Sequence, residues 1–594
     1  FLLTPLIQNS DESYKPSIMK KIILISIIYS SLIISVHGQS GNLLSGTDAG
    51  YSIGNYDDYN TAYGYKASYG DIIDFSVSFG AFAAYGETGY GTTAIGYKSI
   101  FNHDAINNYT TAVGVSAGYG EGSSNSLYNT FIGSQAGYSI AGGDYNVVIG
   151  NKAGYSITTE QRAVLIGHEA GYSITEKSDE ANIFIGHKVG YFSTGIGNVV
   201  VGVDGDTIGS GTAGYHLTTG QYNVFYGAGT GSAATTASYN TFIGAGAGAN
   251  VEIATPNTFV GGLAGYNTNA NGDADSASYN TFVGYKAGYT NEGGIRNTIL
   301  GFESDIAYSG LSYVTQVGAL SLSKNHGTTV LGYLDTISGL YAIGIGEETT
   351  VSGTNAITLA ARGYNTGDYS IGIGYKDTIT GNNSIGIGYQ TKVSSDESVA
   401  IGYRNTVSAN YSSSLGSHDT ITGINSMAIG YDINIANDNQ INIGNDATMS
   451  ISGVVSWTTT SDGRLKSNVQ EDIPGLDFIM KLRPVSYELT VDGKRWTDAS
   501  LDGKNLTRYT GFIAQEVEKA ALAIDYDFSG IDKPKSGKDR YGLRYSQFTV
   551  PLVKAVQELS SQEQQSKQLI QKTTDQINAI DALLEDLENR TENQ

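Results

Sequence analysis

The sequence predicts a mainly β protein in which a parallel β-solenoid shaft precedes a small α+β domain and a C-terminal coiled-coil helix. Three observations carry this prediction. Glycine recurs at fixed intervals through most of the 594 residues, the amino-acid composition changes at Ser461, and the final stretch has a heptad pattern. A short fixed period indicates stacked repeats, and apolar heptads indicate a coiled coil.

Composition narrows the class of protein. Glycine contributes 78 residues and proline only 7, which excludes collagen and favours regular turns. The formal net charge of -23 makes nucleic acid an unsuitable partner, because phosphate backbones are held mainly by lysine and arginine. Cysteine is absent, so disulfides and thiolate metal sites are excluded. No motif in the sequence indicates a cofactor or a metal site.

Residues 1–38 are interpreted as an upstream extension followed by a signal peptide. Met19-Lys20-Lys21 is basic, residues 22–36 form an apolar core, and small residues precede Gln39. This core of 15 residues is short for a bilayer span, which needs about 20. We therefore expect a bacterial protein that is secreted or lies on the cell surface, without a stable membrane span; a membrane anchor is the alternative.

Residues 39–450 are predicted to form the solenoid, in two parts with different periods. In residues 39–311 the period is about 17, as the spacing of Gly133, Gly150 and Gly167 shows. In residues 312–450 the period is 14, and Ala360 fills the single gap in a column of glycines: Gly318, Gly332, Gly346, Gly374, Gly388, Gly402, Gly416, Gly430 and Gly444. Alternating β-branched residues favour strands, so each repeat is expected to form one turn of the solenoid.

The 14-residue units resemble the head repeats of trimeric autotransporter adhesins. "YSIGIGYKDTITGN" and "ESVAIGYRNTVSAN" carry the resemblance. It implies a left-handed parallel β-roll in a bundle of three chains, and therefore a homotrimer. It does not imply the membrane anchor of that family, which is built of β-strands, because this sequence ends in a predicted helix.

Some side chains recur at equivalent places in the predicted turns. Tyr138, Tyr155, Tyr172 and Tyr191 would form a stripe, which we interpret as a structural ladder rather than a sugar-binding surface. His168 and His187 also occupy equivalent places. We expect them to be exposed neutral histidines rather than metal ligands.

After a junction at residues 451–460, residues 461–550 are predicted to form a separate domain. Four motifs appear in order: "SDGRLK", "GLDFIMKLRPVSYEL", "GFIAQEVEKA" and "YSQFTVPLVKAVQEL". They resemble the intramolecular chaperone domain of endosialidases, found in phage tail proteins and bacterial fibres. The resemblance implies a domain that trimerises, guides folding of the fibre and is released by self-cleavage between Thr460 and Ser461. It also implies that Ser461 acts with Lys466.

The residue chemistry agrees with that implication. A serine hydroxyl needs a base to become a nucleophile, and all seven histidines lie at or before His418. A lysine serves as a base where desolvation lowers its pKa, and Lys466 is five residues from Ser461. The alternative is a plain turn with a solvated lysine. Relatives often carry a histidine near "GFIAQ", where this chain has Tyr509-Thr510.

Residues 551–594 are predicted to form a trimeric coiled-coil helix. Eight of eleven seam positions are apolar, and isoleucine in the seam favours three strands: Leu552, Val556, Leu559, Glu563, Ser566, Ile570, Thr573, Ile577, Ile580, Leu584 and Leu587.

Together these patterns predict a secreted trimeric fibre or adhesin-like surface protein with a self-releasing chaperone. The expected partner, besides two further copies of the chain, is a cell-surface or glycan receptor. The predicted enzymatic activity is a single self-cleavage in cis, with no turnover enzyme identified. Two alternatives stay open: a polysaccharide-degrading fibre of the tailspike kind, which would need a carboxylate pair, and an uncleaved trimerisation cap.

Overall fold

The computed structural model describes residues 41–51, 58–70, 74–86, 89–103, 108–120, 125–175, 181–205, 211–269, 272–273, 275–445, 447–448, 450–455, 457–488, 490–491, 494–495, 508–534 and 540–593. The predicted signal peptide lies outside these residues. The chain divides into two compact units, residues 1–427 and residues 428–594. Within the described ranges, no helix combines the length and the apolar character that crossing a membrane requires.

The fold is a parallel solenoid of about 26 turns, followed by a small domain and a C-terminal helix. In the first unit, strands of successive turns pair in parallel and in register, for example Val147–Ile149 with Val164–Ile166. We call this sheet the long ladder. Its strands in this unit are Leu43–Ser45, Thr61–Tyr63, Val77–Phe79, Thr93–Ile95, Thr111–Val113, Thr130–Ile132, Val147–Ile149, Val164–Ile166, Ile183–Ile185, Val199–Val201, Val224–Tyr226, Thr241–Ile243, Asn257–Val260, Asn280–Val283, Thr298–Leu300, Thr315–Val317, Thr329–Tyr333, Ile343–Glu347, Ile357–Ala361, Ile371–Tyr375, Ile385–Tyr389, Val399–Tyr403 and Ser413–Ser417.

A second parallel sheet, the short ladder, begins where the period shortens to 14 residues. Each 14-residue turn thus contains two strands, whereas most longer turns contain one strand and a run of tight turns. The short-ladder strands in the first unit are Asp305–Ile306, Leu322–Ser323, Thr336–Ile337, Thr350–Val351, Tyr364–Asn365, Thr378–Ile379, Lys392–Val393, Thr406–Val407 and Thr420–Ile421. Two local pairs also occur, Tyr85–Gly86 with Phe101–His103 and Asp204–Gly205 with Gly211–Thr212.

The core of the solenoid is built largely from buried residues in the middle of the strands. In a strand, alternate side chains point to opposite faces, so the middle side chain points inward. Phe225, Phe242 and Phe259 are buried at this position and stack with ring centroids 5.0 and 4.8 Å apart. Because each turn places a buried residue at the same inward position, one continuous core runs from Ala83 to Val314.

A column of buried asparagines lies beside this core, at the start of the strands. The Asn240 backbone N–H donates to Asn223 Oδ1 at 3.0 Å, and the Asn257 N–H donates to Asn240 Oδ1 at 2.8 Å. The Asn240 Nδ2 group also donates to the carbonyl of Ala254 at 3.1 Å. The column satisfies buried backbone groups that the strands leave unpaired. The sequence interpretation quoted the "YN" pairs but did not assign this role.

The column of glycines marks a close approach between turns. Gly374 has φ +139°, in the region that side-chain-bearing residues avoid, and a Cβ there would collide with the carbonyl oxygen of Gly388. The repeated glycine therefore follows from backbone packing between neighbouring turns.

The predicted tyrosine stripe forms a stacked ladder. The ring centroids of successive tyrosines are 4.9, 4.9 and 4.8 Å apart, with interplanar angles of 3 to 7°, in the order Tyr138, Tyr155, Tyr172 and Tyr191. The rings are partly exposed, so they cover the corner of the solenoid. The stacking confirms the prediction of a structural ladder.

The second unit contains the small α+β domain and the long helix. We name its helices α1 (Leu476–Ile479), α2 (Ala514–Leu522) and α3 (Thr549–Glu592). Short 3₁₀ helices occupy Gly463–Leu465 and Tyr545–Phe548. The strand Met427–Tyr431 begins at the last residue of the first unit, and Asn434–Ile435 and Ile441–Ile443 follow it. The remaining strands form three antiparallel pairs: Val485–Tyr487 with Tyr509–Gly511, Thr490–Val491 with Lys494–Arg495, and Ile531–Asp532 with Gly542–Leu543.

Aromatic residues hold this domain together. Phe478 of α1 is fully buried and packs against Phe528, with ring centroids 4.9 Å apart. The α1 N-terminus is capped from α3, because the Leu476 N–H donates to Glu558 Oε2 at 2.7 Å. This contact ties the first turn of the domain core to the long helix.

Candidate self-cleavage site

Ser461 and Lys466 are in direct contact. The Lys466 Nζ group donates to Ser461 Oγ at 2.7 Å. The 3₁₀ helix Gly463–Leu465 folds the intervening backbone into one turn, with the Lys466 N–H donating to the carbonyl of Gly463 at 3.1 Å. The spacing of five residues thus places the hydroxyl and the amine within hydrogen-bond distance, as a serine–lysine pair requires.

Asp462 and Arg464 stabilise this turn. The Arg464 N–H donates to Asp462 Oδ1 at 2.9 Å, which makes Asp462 the N-cap of the 3₁₀ helix. The Arg464 side chain donates to the same carboxylate through Nε at 3.1 Å and Nη2 at 2.6 Å. These hydrogen bonds from Arg464 hold the pKa of Asp462 below its usual value. Asp462 is therefore an ionised clamp on the segment between the two reactive groups.

The dyad and its flanking residues are exposed to solvent. Ser461 and Lys466 are both exposed, and so are the apolar side chains of Trp457 (82%) and Leu465 (77%). Exposed apolar side chains that lie together can form a surface that another protein surface covers. A solvated lysine is a poor base, so a covering surface would also change the chemistry of the dyad.

A cleft in this domain is separate from the dyad. Its volume is about 660 Å³, and Tyr487, Phe512, Gln515 and Tyr541 contribute to its lining. Neither Ser461 nor Lys466 lines it. The serine–lysine pair therefore lies outside this cleft, at an exposed turn.

The histidines considered as metal ligands stack on each other. The His168 and His187 ring centroids are 5.2 Å apart, and His168 Nδ1 lies 3.9 Å from Glu169 Oε2. Among the described residues, no group of three or more histidine, cysteine or carboxylate side chains is placed to hold a metal ion.

Buried carboxyl groups in the 14-residue turns are a feature that the sequence interpretation missed. Burial raises the pKa of Asp335 and of Asp377 from 3.8 to about 6. One carboxyl oxygen of each, Oδ2, is buried without a hydrogen-bond partner. Their shared place, three residues after a column glycine, is the signal that could have identified them.

Comparisons with known families match two parts of the chain. Residues 461–525 match the family described as "Chaperone of endosialidase". Residues 380–405 and 394–418 match two copies of the "YadA head domain repeat". Both resemblances inferred from the sequence are thereby confirmed. A comparison with curated proteins finds no match.

Proposed function

We propose that the chain is a subunit of an exported trimeric fibre or adhesin whose C-terminal domain assists assembly and then cleaves the chain between Thr460 and Ser461. The contact between Lys466 Nζ and Ser461 Oγ carries the proposal. It lies at the first residue of the matched chaperone domain, downstream of the matched head repeats. The domain organisation predicted from the sequence agrees with a shaft that is separated from its chaperone at this bond.

The reaction balances with the residues present and one water molecule. Unprotonated Lys466 accepts the proton of Ser461 Oγ, which attacks the carbonyl carbon of Thr460. The bond from that carbon to the Ser461 nitrogen breaks, and Lys466 returns the proton to the nitrogen. The resulting ester is hydrolysed by water, which leaves a carboxylate on Thr460 and restores the Ser461 hydroxyl.

Assembly would switch on this chemistry. Lys466 is exposed in the single chain, and a lysine becomes an effective base when it is desolvated. The exposed side chains of Trp457 and Leu465 provide apolar surface that neighbouring chains could cover. Cleavage after assembly would leave a shaft whose persistence depends on slow unfolding rather than on its chaperone.

Intact-mass measurement of secreted protein tests the proposal. We expect a shaft fragment from about Gln39 to Thr460 and a second fragment beginning at Ser461. Ser461→Ala should abolish the cut, and Lys466→Arg should do nearly the same because arginine keeps the charge but is not deprotonated. Ser467→Ala is the matched control, since it removes a neighbouring exposed hydroxyl, and it should cleave normally.

An uncut wild-type trimer would overturn the cleavage mechanism. In that case the exposed seam of α3 still supports the second candidate function, an uncleaved trimerisation cap. A cut Ser461→Ala chain would instead show that another protease makes the break.

A further inference from the structure

We propose that an exposed ridge on the 14-residue turns binds a linear polysaccharide bearing uronate groups. The ridge consists of Tyr375, Tyr389 and Tyr403 with the cations Lys376 and Arg404. This inference rests on the proposed role as a fibre or adhesin and names the chemistry of its receptor.

The three tyrosines form a regular row along the long ladder. They pair in register on successive strands, and their ring centroids are 5.2 and 5.0 Å apart. Tyr389 and Tyr403 are 37% and 39% exposed, which leaves ring edges open along the fibre. A tyrosine at a surface offers apolar contact and a hydroxyl in one side chain. One such ring per turn suits an extended polymer of sugars.

Two cations accompany these rings. The Lys376 Nζ atom lies 5.4 Å from the Tyr375 ring centroid, and the Arg404 Cζ atom lies 5.0 Å from that of Tyr403. They are two turns apart, which is about 10 Å at the usual spacing of strands. A polysaccharide with one carboxylate on every second sugar presents charges at a comparable interval.

The cations of the ridge differ from three others at the same structural position, which is the second residue after the column glycine or after Ala360, its equivalent. At that position Lys188 lies 3.8 Å from Glu169, Lys286 lies 3.5 Å from Glu303, and Arg362 lies 2.8 Å from Glu348. Each of these is thus paired with a carboxylate on an adjacent turn.

In the ridge the corresponding neighbour is Gln390, whose Oε1 accepts from Arg404 Nε at 2.9 Å. A neutral amide positions the guanidinium without cancelling its charge. Within the described part of the chain, Lys376 and Arg404 form no ion pair, although the whole chain has a net charge of -23. Local positive charge on an acidic protein favours a partner with spaced negative groups over a dense polyphosphate.

Binding to immobilised hyaluronate tests the proposal on the full-length assembled protein. We expect binding that weakens with added salt, with dextran as the neutral reference. The double variant Lys376→Gln and Arg404→Gln should bind at least about tenfold more weakly. Gln390→Glu should also weaken binding severalfold, because it adds a carboxylate beside Arg404 and removes no side-chain contact of the tyrosines.

The matched control is Lys188→Gln with Lys286→Gln, which makes the same charge change at the same structural position outside the ridge. It should bind like the wild type. Equal binding to dextran, stronger binding to duplex DNA, or unchanged binding by Gln390→Glu and the double variant would each overturn the proposal. The measurement is repeated in the Ser461→Ala background, so a failure of glycan binding is distinguishable from a failure of self-cleavage.

Discussion

Asp462 determines the local geometry of the dyad because its carboxylate caps the turn between Ser461 and Lys466. The cap bond to the Arg464 N–H is 2.9 Å, and the two side chains also form a fork of hydrogen bonds. Losing an N-cap typically costs about 1 kcal/mol of local stability. At an exposed turn with no packed core beneath it, that amount decides how often the reactive groups meet.

We therefore predict that Asp462→Ala slows self-cleavage by about tenfold. Asp462→Asn should recover part of the rate, because its side-chain oxygen still accepts the Arg464 N–H. The fraction of cut chain is followed over time by gel and intact mass. A positioning role predicts that the pH profile of the cleavage rate keeps its shape while its height falls. A wild-type rate in Asp462→Ala, or a displaced profile, would contradict it.

At this scale the sequence predicted the pair but not its surroundings. The resemblance of "SDGRLK" to the endosialidase chaperone domain implied Ser461 and Lys466, and the absence of histidine after His418 agreed with that implication. The clamp by Arg464 was not predicted, since "SDGRLK" does not show which way the arginine folds. The openness of the site also depends on tertiary packing, which a local motif does not contain.

Among the elements, the 14-residue turns carry a column of polar side chains that donate to the carbonyl eleven residues ahead. Ser321 Oγ donates to Gly332 at 3.2 Å, Thr349 Oγ1 to Ala360 at 2.6 Å, and Asn405 Nδ2 to Gly416 at 2.9 Å. Asp335 and Asp377 occupy the same column. A carboxyl group can donate in this way only when it is protonated, in agreement with its raised pKa.

The shaft should therefore be more stable at mildly acidic pH than at neutral pH. The folded-state pKa of about 6 for Asp377 exceeds the ordinary value of 3.8, so the folded chain binds the proton more tightly. The stabilisation that a protonated Asp377 provides is complete below its ordinary pKa of 3.8 and is lost as the pH rises through about 6. For each such group the loss in the free energy of unfolding is up to about 3 kcal/mol.

Asp377→Asn should raise the melting temperature at pH 7.5 and reduce its change between pH 7.5 and pH 5. The amide retains an oxygen for the Thr391 N–H and gains a donor, as Asn405 has in its own turn. Thermal unfolding followed by circular dichroism measures both effects. Asp396→Asn, at an exposed place in the same array, is the control. Melting independent of pH in the wild type would refute this assignment.

The periodicity of the sequence predicted those elements whose conformation depends only on the residues of a single turn. The glycines and β-branched residues were sufficient to predict parallel turns. The short ladder and the asparagine column were not predicted, because their roles depend on the adjacent turns. Asn240, for instance, accepts from Asn257 and donates to Ala254. A column of hydrogen bonds is a property of stacked turns, and a single repeat does not display it.

For the whole molecule, an exposed apolar seam on the C-terminal helix favours association of identical chains. The seam of α3 exposes Ile577 (52%) and Ile580 (56%). The head-repeat and chaperone matches point to the same trimeric assembly. Burying these residues between chains would remove them from water.

Sedimentation equilibrium should therefore give about three times the chain mass of 62.7 kDa, less the signal peptide, for the uncut Ser461→Ala protein. Ile577→Asp places a charge in the seam of α3 and should lower the trimer fraction. In an otherwise wild-type chain the same substitution should also reduce self-cleavage, because we propose that cleavage follows assembly. Gln576→Asp makes a similar change one residue outside the seam and should assemble normally. A stable monomer of the parent protein would reject this architecture.

The close glycine column has a consequence for inheritance. Each turn packs on the next through the same close backbone contact, as between Gly374 and Gly388. The interface between two successive turns is therefore nearly the same wherever it occurs. Recombination between similar gene segments that adds or removes 14 codons restores that interface, whereas a change of 13 or 15 codons breaks it. A lineage carrying this gene can therefore vary the length of the solenoid in whole-turn steps while keeping the same ends.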